Sequence, residues 1–547
     1  MRWGALLVAV LCAVVLLPGL AGPGPFDTRE ARDLEVAREL IEDREPITPV
    51  LGHERLLEKP VAAYAPDVLA ALVAPHAPVA ASRTWRVVAA ALLVLLTAAT
   101  TARHLGARAG VCSAAVLATT VAFPVAARTD GTALLAALFG WTAIDGFTHA
   151  WFGGRGGAEP RLVIAYGALA CAAVVCGPLA ALWPLAAAAI YHALTRRPGA
   201  WSALRPGPGL LVVAGLALPW YGAAFERHRW AFVAHAPAFP YGVAPPGPWY
   251  AGPLLVVSFV VVGFFPWSAL LPGALRHAAV WWTPRVAAGA PPPGPAPVAR
   301  ELGHEHAAHW FLACALGALV PLLAYPRAPL SAVLPALPAL AALCGRLLDH
   351  LIEDQHRTAP AVFLGAQMLS LTGTVASLLL VVVAGRMGAA GPAMRVLATV
   401  VFATCWLPML AAYAGRFRLA ALLMLAPVAV GTPVALTRVA PAAEGYLSAR
   451  PVAAAIARTV PERAPIVLFD DPPPSLRFLV RHDLVQATWY AGPLAAPRAS
   501  DGCVYLAWRP ARDAAVRAAI ARDARGAAVE VLADTPGLVL GRVRAGG

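Results

Sequence analysis

WGALLVAVLCAVVLLPGLAGPGPFDTREARDLEVAREL occupies residues 3–40, and its change of character decides the fold class. Residues 3–22 are an apolar run behind Arg2 with no small-residue cleavage site after it, so they read as a first transmembrane helix with the N-terminus inside. Residues 26–40 are dense in acids and arginines, yet Leu34, Ala37, Leu40 and Ile41 recur at helical spacing. That pattern predicts an amphipathic helix lying on the outer membrane surface.

Outward from this point the chain stays apolar. Of its 547 residues 59% are hydrophobic and only 13% charged, where soluble chains carry about 25% charged residues. Mean hydropathy is +0.66. One soluble core of this size is excluded, because single cores stop growing near ~250–300 residues. Twelve further long apolar segments begin near residues 84, 109, 131, 162, 179, 209, 250, 308, 329, 360, 394 and 419, which with the first predicts thirteen spans. Residues 61–75 are apolar but short and carry Pro60, Pro66 and Pro75, so they read as a second surface helix.

Arginine placement orients the spans. Inner loops then hold Arg103, Arg108, Arg155, Arg161, Arg196, Arg197, Arg205, Arg276, Arg285, Arg300, Arg346, Arg357, Arg416 and Arg418, and the short outer loops hold fewer. The net charge of +13 therefore belongs to an anionic membrane surface rather than to a nucleic-acid partner. Residues 284–298 read as a Pro/Gly/Ala linker on the inner side. From residue 438 the composition turns soluble, and IVLFD (466–470), CVYLAW (503–508), VEVLA (529–533) and LVLGRV (538–543) alternate with helical stretches. The expected organisation is a transmembrane domain over 1–437, with an outer juxtamembrane loop at 23–83, and a small α/β domain over 438–547 on the outer side of a bacterial inner membrane.

Charges at a membrane are costly and mark function. Three outer stretches carry them: FDTREARDLEVAREL, LGHERLLEKPVAAYAP (51–66) and AARTDG (126–131). Asp27, Glu30, Arg32, Glu58, Lys59, Arg128 and Asp130 are the resulting candidates. A carboxylate there takes a proton from an acceptor hydroxyl, and the cations hold a phosphate leaving group. Lys59 is the only lysine in a chain that otherwise uses arginine, which points to a compact point charge that arginine does not replace. Arg38, Glu39, Glu42 and Asp43 read as solvated charges of the surface helix.

The eight cysteines form no CxxC pair and lie mostly in apolar runs. His304, His306 and His309 follow the linker on the inner side and read as a solvated interfacial cluster rather than a metal site. His235 lies near the outer cleft. No cofactor is implied; a divalent cation stays open, with no ligands assigned.

The order of these features resembles a family. An acidic amphipathic loop, an EKP tripeptide (58–60), an R-x-D loop (128–130), LPWY (218–221), His235, GPWY (247–250), FPWSALLP (265–272) and LPALPAL (334–340) are together similar to the bacterial aminoarabinose (lipid A) transferases, the ArnT-like enzymes. These group with the protein O-mannosyltransferases in the GT-C glycosyltransferase superfamily, and the resemblance spans roughly residues 5–345. It implies an inverting transfer from a polyprenyl-phosphate sugar to a lipid, glycan or protein acceptor at the outer membrane face. It matches Glu58, Lys59, Arg128 and Asp130 to family positions, and it leaves Asp27 or Glu30 as the base, because Arg29 stands where the family has an aspartate. Arg327 is the expected further phosphate contact, beside Ala332 where a tyrosine is usual. Ala234, Ala238 and VVCGP (174–178) also replace family charges, so the sugar is not implied. A flippase of lipid-linked sugars or a non-catalytic membrane scaffold are the competing classes; a flippase places charge at the membrane midplane instead.

Overall fold

The structure is a computed structural model that describes residues 2–43, 47–52, 54–152, 158–195, 200–235, 248, 250–280, 296–324, 328–487, 493–496, 498–523 and 529–544. Arg327 and residues 284–295 of the linker lie outside the described residues, as does the side chain of His235, whose backbone ends the helix Trp230–His235.

The juxtamembrane loop 23–83 opens with α1 (Arg2–Leu16) behind it and contains α2 (Arg29–Asp43) and α3 (Ala65–Val73), the last preceded by the 3-10 turn Val61–Tyr64. A two-residue hairpin, β1 (Val50–Leu51) and β2 (Glu54–Arg55), closes between them. Then α4 (Pro78–Leu105) runs for 28 residues from a proline in its first turn to Gly106, whose φ of 102° no other residue adopts without strain. Next come α5 (Ala107–Ala118), α6 (Ala122–Thr129) and α7 (Gly131–Phe152).

Among the described residues nine helices are long and apolar enough to cross a membrane, and eleven if each of two bent pairs is one span. The chain is thus a multi-span membrane protein, with fewer such spans than the thirteen expected. The segment expected at 109–127 is α5 and α6, bent by 58°, and that expected at 250–274 is two helices bent by 108°. Helix α1 is a shorter apolar helix, and α7 carries Asp145 and His149 in its C-terminal half. The spans pack closely through small residues. A Cβ on Gly345 would meet the Ala109 carbonyl oxygen at 2.7 Å, so Leu337–Glu353 and α5 touch backbone to backbone there. Hydroxyls within the spans turn inward to their own helix, as Thr97 does to the Leu93 carbonyl at 2.7 Å.

The C-terminal region folds into a five-stranded sheet, one strand (β4) more than the four expected, in the order β4-β3-β5-β7-β6 for β3 (Ile466–Leu468), β4 (Leu484–Gln486), β5 (Cys503–Trp508), β6 (Val529–Asp534) and β7 (Val539–Arg544). β3 is parallel to both β4 and β5, and β7 is antiparallel to β5 and β6. Alternation along β5 builds two cores. Cys503, Tyr505 and Ala507 pack with Val452 and Ile456 of the helix Arg450–Thr459, and Val504, Leu506 and Trp508 pack with Val516 and Ile520 of Asp513–Asp523.

Candidate active site

Helix α2 turns one face inward, and that face carries acids. Glu30, Asp33, Leu34 and Ala37 share it and are all buried. Opposite stand Arg83 and Arg86, one turn apart near the start of α4. Buried charge demands partners, and these supply them.

Glu30 and Arg83 are both 0% exposed. Arg83 donates from Nε to Glu30 Oε1 at 2.6 Å and from Nη2 to Oε2 at 2.9 Å, a two-pronged pairing. The Phe26 N–H also donates to Oε2 at 2.8 Å. The remaining Arg83 donors reach the carbonyls of Pro23 at 2.9 Å and Gly24 at 3.0 Å. Arg86 bonds Asp67 at 3.2 Å and the Arg128 carbonyl at 3.1 Å, and the Trp85 indole donates to Asp67 at 2.9 Å.

Lys59 is 4% exposed and donates to Asp33 Oδ1 at 2.6 Å and to the Thr132 hydroxyl at 3.3 Å, with the Tyr64 ring centroid 5.0 Å away. Burial pushes the Asp33 carboxyl above its ordinary range, and the Lys59 ammonium opposes that shift. Arg128 is buried too. Its guanidinium donates to the carbonyls of Leu16 and Pro18, both at 2.7 Å, and of Pro124 at 3.1 Å. It thereby satisfies the C-terminal end of α1, where a cation is favoured. Asp130 receives the Ala133 N–H at 3.0 Å at the start of α7 and the Ser331 hydroxyl at 2.6 Å.

Above these groups the charges are half-open. Arg32 and Glu58 pair at 2.9 Å with side chains 29% and 39% exposed. Arg29 reaches Asp130 at 3.3 Å and is 25% exposed. Desolvation raises the Glu58 carboxyl, but the hydrogen bond and charge of Arg32 outweigh it and hold Glu58 below its ordinary range. Asp27 is exposed at the other end of the loop, and its carboxylate accepts the Ser475 N–H of the C-terminal domain at 2.9 Å.

Seven candidates can thus be placed. Glu30, Arg128, Asp130 and Lys59 lie in the buried layer; Arg32 and Glu58 lie over it, with Arg29 beside them; Asp27 is at its edge. Three bonds already converge on the Glu30 carboxylate, which leaves an acceptor hydroxyl no approach. Asp33, Asp67, Arg83 and Arg86 are functional neighbours that sequence reasoning missed. The signal was available for two of them: arginines three residues apart at the head of an apolar helix require buried acids. Among the described residues no three His, Cys, Asp or Glu side chains converge on a metal position. Glu39 and Glu42 are more than solvated charges. Glu39 accepts the Gly52 N–H at 2.8 Å, and Glu42 pairs with Arg481 of the C-terminal domain at 2.5 Å.

No protein-family model matches the chain, and no curated protein does. Solved structures do. ArnT from Cupriavidus metallidurans bound to undecaprenyl phosphate superposes with a TM-score of 0.73 at 17% identity, covering 99% of this chain and 98% of that one. The apo state of the same protein gives a TM-score of 0.71 at 17% identity, covering 98% and 96%. The archaeal oligosaccharyltransferase AglB from Archaeoglobus fulgidus covers 64% of this chain and 50% of that one at 12% identity, with a TM-score of 0.41. Over nearly its whole length, transmembrane helices and C-terminal sheet together, this chain has the fold of that ArnT.

Proposed function

We propose that the protein is a membrane glycosyltransferase that moves a sugar from a polyprenyl-phosphate carrier to a cell-envelope acceptor at the outer face. The observation that carries this reading is the half-open layer of Arg29, Arg32 and Glu58 seated on a sealed ionic layer in the outer loop of an ArnT-like fold. Charges held at the membrane surface and partly exposed suit a reaction between a lipid headgroup and an extracytoplasmic acceptor. A transporter would concentrate them at the midplane. That a protein of this fold was crystallised with undecaprenyl phosphate supports the same carrier class here.

In the proposed reaction Asp27 takes the proton from the acceptor hydroxyl, whose oxygen attacks the anomeric carbon and inverts it. The bond from that carbon to the phosphate oxygen breaks, and the phosphate leaves with its electron pair. Arg32, which exchanges Glu58 for the phosphate, and Arg29 neutralise the developing charge. Lys59, committed to Asp33 and Thr132 and nearly buried, sets positive charge beneath the phosphate and holds the floor of the site. Glu30, Arg83 and Arg128 hold the loop rather than react.

A second reading, a non-catalytic protein that only binds the carrier, has one observation in its favour. Arg29 replaces a family aspartate and neutralises Asp130. Mass spectrometry of envelope glycolipids and glycans from cells with and without the gene separates the two: a product that disappears with the gene supports transfer, and an unchanged profile supports the binder. The same reading puts the C-terminal domain outside. A cysteine introduced at exposed Arg517 is then labelled from outside intact cells, and labelling only after lysis overturns that orientation.

A further inference from the structure

The segment 22–27 runs between two sets of partners. From the membrane side Arg83 takes the carbonyls of Pro23 and Gly24. From the C-terminal domain Arg450 donates to the Gly22 carbonyl at 3.1 Å, Glu444 accepts the Gly24 N–H at 2.7 Å, and the Leu447 carbonyl accepts the Asp27 N–H at 2.7 Å. The last contact is to the Asp27 side chain itself, through the Ser475 N–H at 2.9 Å. Ser475 is fully buried, and its hydroxyl accepts the Ala449 N–H at 2.7 Å, which ties the helix Pro474–Leu479 to the start of Arg450–Thr459. Apart from the exposed Arg450 and Asp27 side chains, the clasp is built of buried, half-buried or backbone groups, whereas a crossing held only by surface ion pairs would be loose.

We infer that the C-terminal domain is part of the catalytic apparatus, with Ser475 as a positioning residue that fixes and polarises the Asp27 carboxylate. This rests on the reading of Asp27 as the base. A carboxylate on a long Gly/Pro loop samples many orientations, and general-base catalysis requires one. Burial raises the Asp27 carboxyl above its ordinary range, and accepting the Ser475 N–H opposes that shift while holding one orientation. Among charged groups, Arg509 of the C-terminal domain acts on Asp27 in the same direction, and Glu444 and Arg450 flank the segment. The role gives a physical reason for a soluble domain to follow the spans: it supplies the far wall of the reactive loop.

The test uses the full-length protein in right-side-out membrane vesicles containing their own polyprenyl-phosphate sugars, with the external pH set by buffer and the glycosylated product followed by mass spectrometry. Ser475→Pro removes the N–H at the second position of a helix that begins with proline, where proline is tolerated. Ser475→Ala keeps the N–H and removes only the hydroxyl. The expected result is a fall in kcat on the order of 10–100-fold for Ser475→Pro with KM nearly unchanged. The acidic limb of its pH profile moves up by about one unit, and Ser475→Ala moves it in the same direction, because the Ser475 hydroxyl also lowers the Asp27 carboxyl. Asp27→Asn abolishes transfer. If Asp27→Asn abolishes transfer while Ser475→Pro lowers only the melting temperature and leaves kcat and the pH limb at wild-type values, the inference is overturned. If transfer survives Asp27→Asn, the base assignment itself falls, and the inference with it.

Discussion

The juxtamembrane loop carries two ionic layers that differ in one respect, access to water. In the lower layer Glu30–Arg83 and Asp33–Lys59 are nearly inaccessible, and both pairs meet at 2.6 Å. In the upper layer Arg32–Glu58 and Arg29–Asp130 have side chains that water reaches on at least one partner. The same residue types thus do different work. A sealed pair cannot trade partners without stranding a charge, so it fixes geometry. A half-open pair loses little when it opens, so it can take a phosphate or a hydroxyl instead.

Removing one partner in the lower layer breaks or confirms this contrast most forcefully. Arg83→Met leaves Glu30 buried and uncompensated and is expected to cost about 3–5 kcal/mol, read as a large drop in detergent melting temperature. The loss changes little with added salt, because the pair is shielded from it. A change under 1 kcal/mol would mean that water enters the lower layer.

Lys59 sharpens the boundary between the layers. Lys59→Ala is expected to destabilise by a similar amount, with Asp33→Asn added to Lys59→Ala recovering most of the stability but not transfer. Lys59→Arg keeps the charge and is expected to insert in the membrane yet lose transfer, because a planar fork does not fit between Asp33, Thr132 and Tyr64. Full activity in Lys59→Arg would contradict the role given to this lysine.

The upper layer should show the reverse balance. Glu58→Gln or Arg32→Gln is expected to change stability by less than about 1 kcal/mol while reducing transfer strongly, read as product per unit of inserted protein. The smallest effect is in pH. Arg32 depresses the Glu58 carboxyl, so its stabilising contribution is present above the ordinary value of 4.5 and is lost as pH falls through the lower, folded value. Asp33 has the opposite sign: burial raises its carboxyl, so protonation in acid relieves a cost. Acid melting curves of Glu58→Gln and wild type should diverge above the depressed value and converge below it.

Much of this was legible in the sequence. The apolar face of α2 was readable from Leu34 and Ala37, and the soluble sheet from the alternation in CVYLAW. Lys59 stood out as the only lysine, and the EKP and R-x-D stretches pointed to the segments that carry the ionic layers. Asp33 was not legible, because an acid on an apolar face makes sense only with its partner, 26 residues away. Arg128 looked like a substrate contact because nothing local shows that it closes the end of α1 more than a hundred residues earlier. The bends at 119–121 and 264–266 were invisible for a related reason: hydropathy records how much apolar chain there is and not where it turns. β4 has only three residues, too few for alternation to register.

Incubating the purified protein in nanodiscs with polyprenyl-phosphate sugars extracted from its own cells, and weighing the lipids before and after, tests the central claim most directly. The account predicts loss of a sugar-bearing lipid and matching release of polyprenyl phosphate when envelope acceptors are present, abolished by Asp27→Asn and by Lys59→Arg. Carrier lipids that bind but emerge with their sugar intact would contradict it.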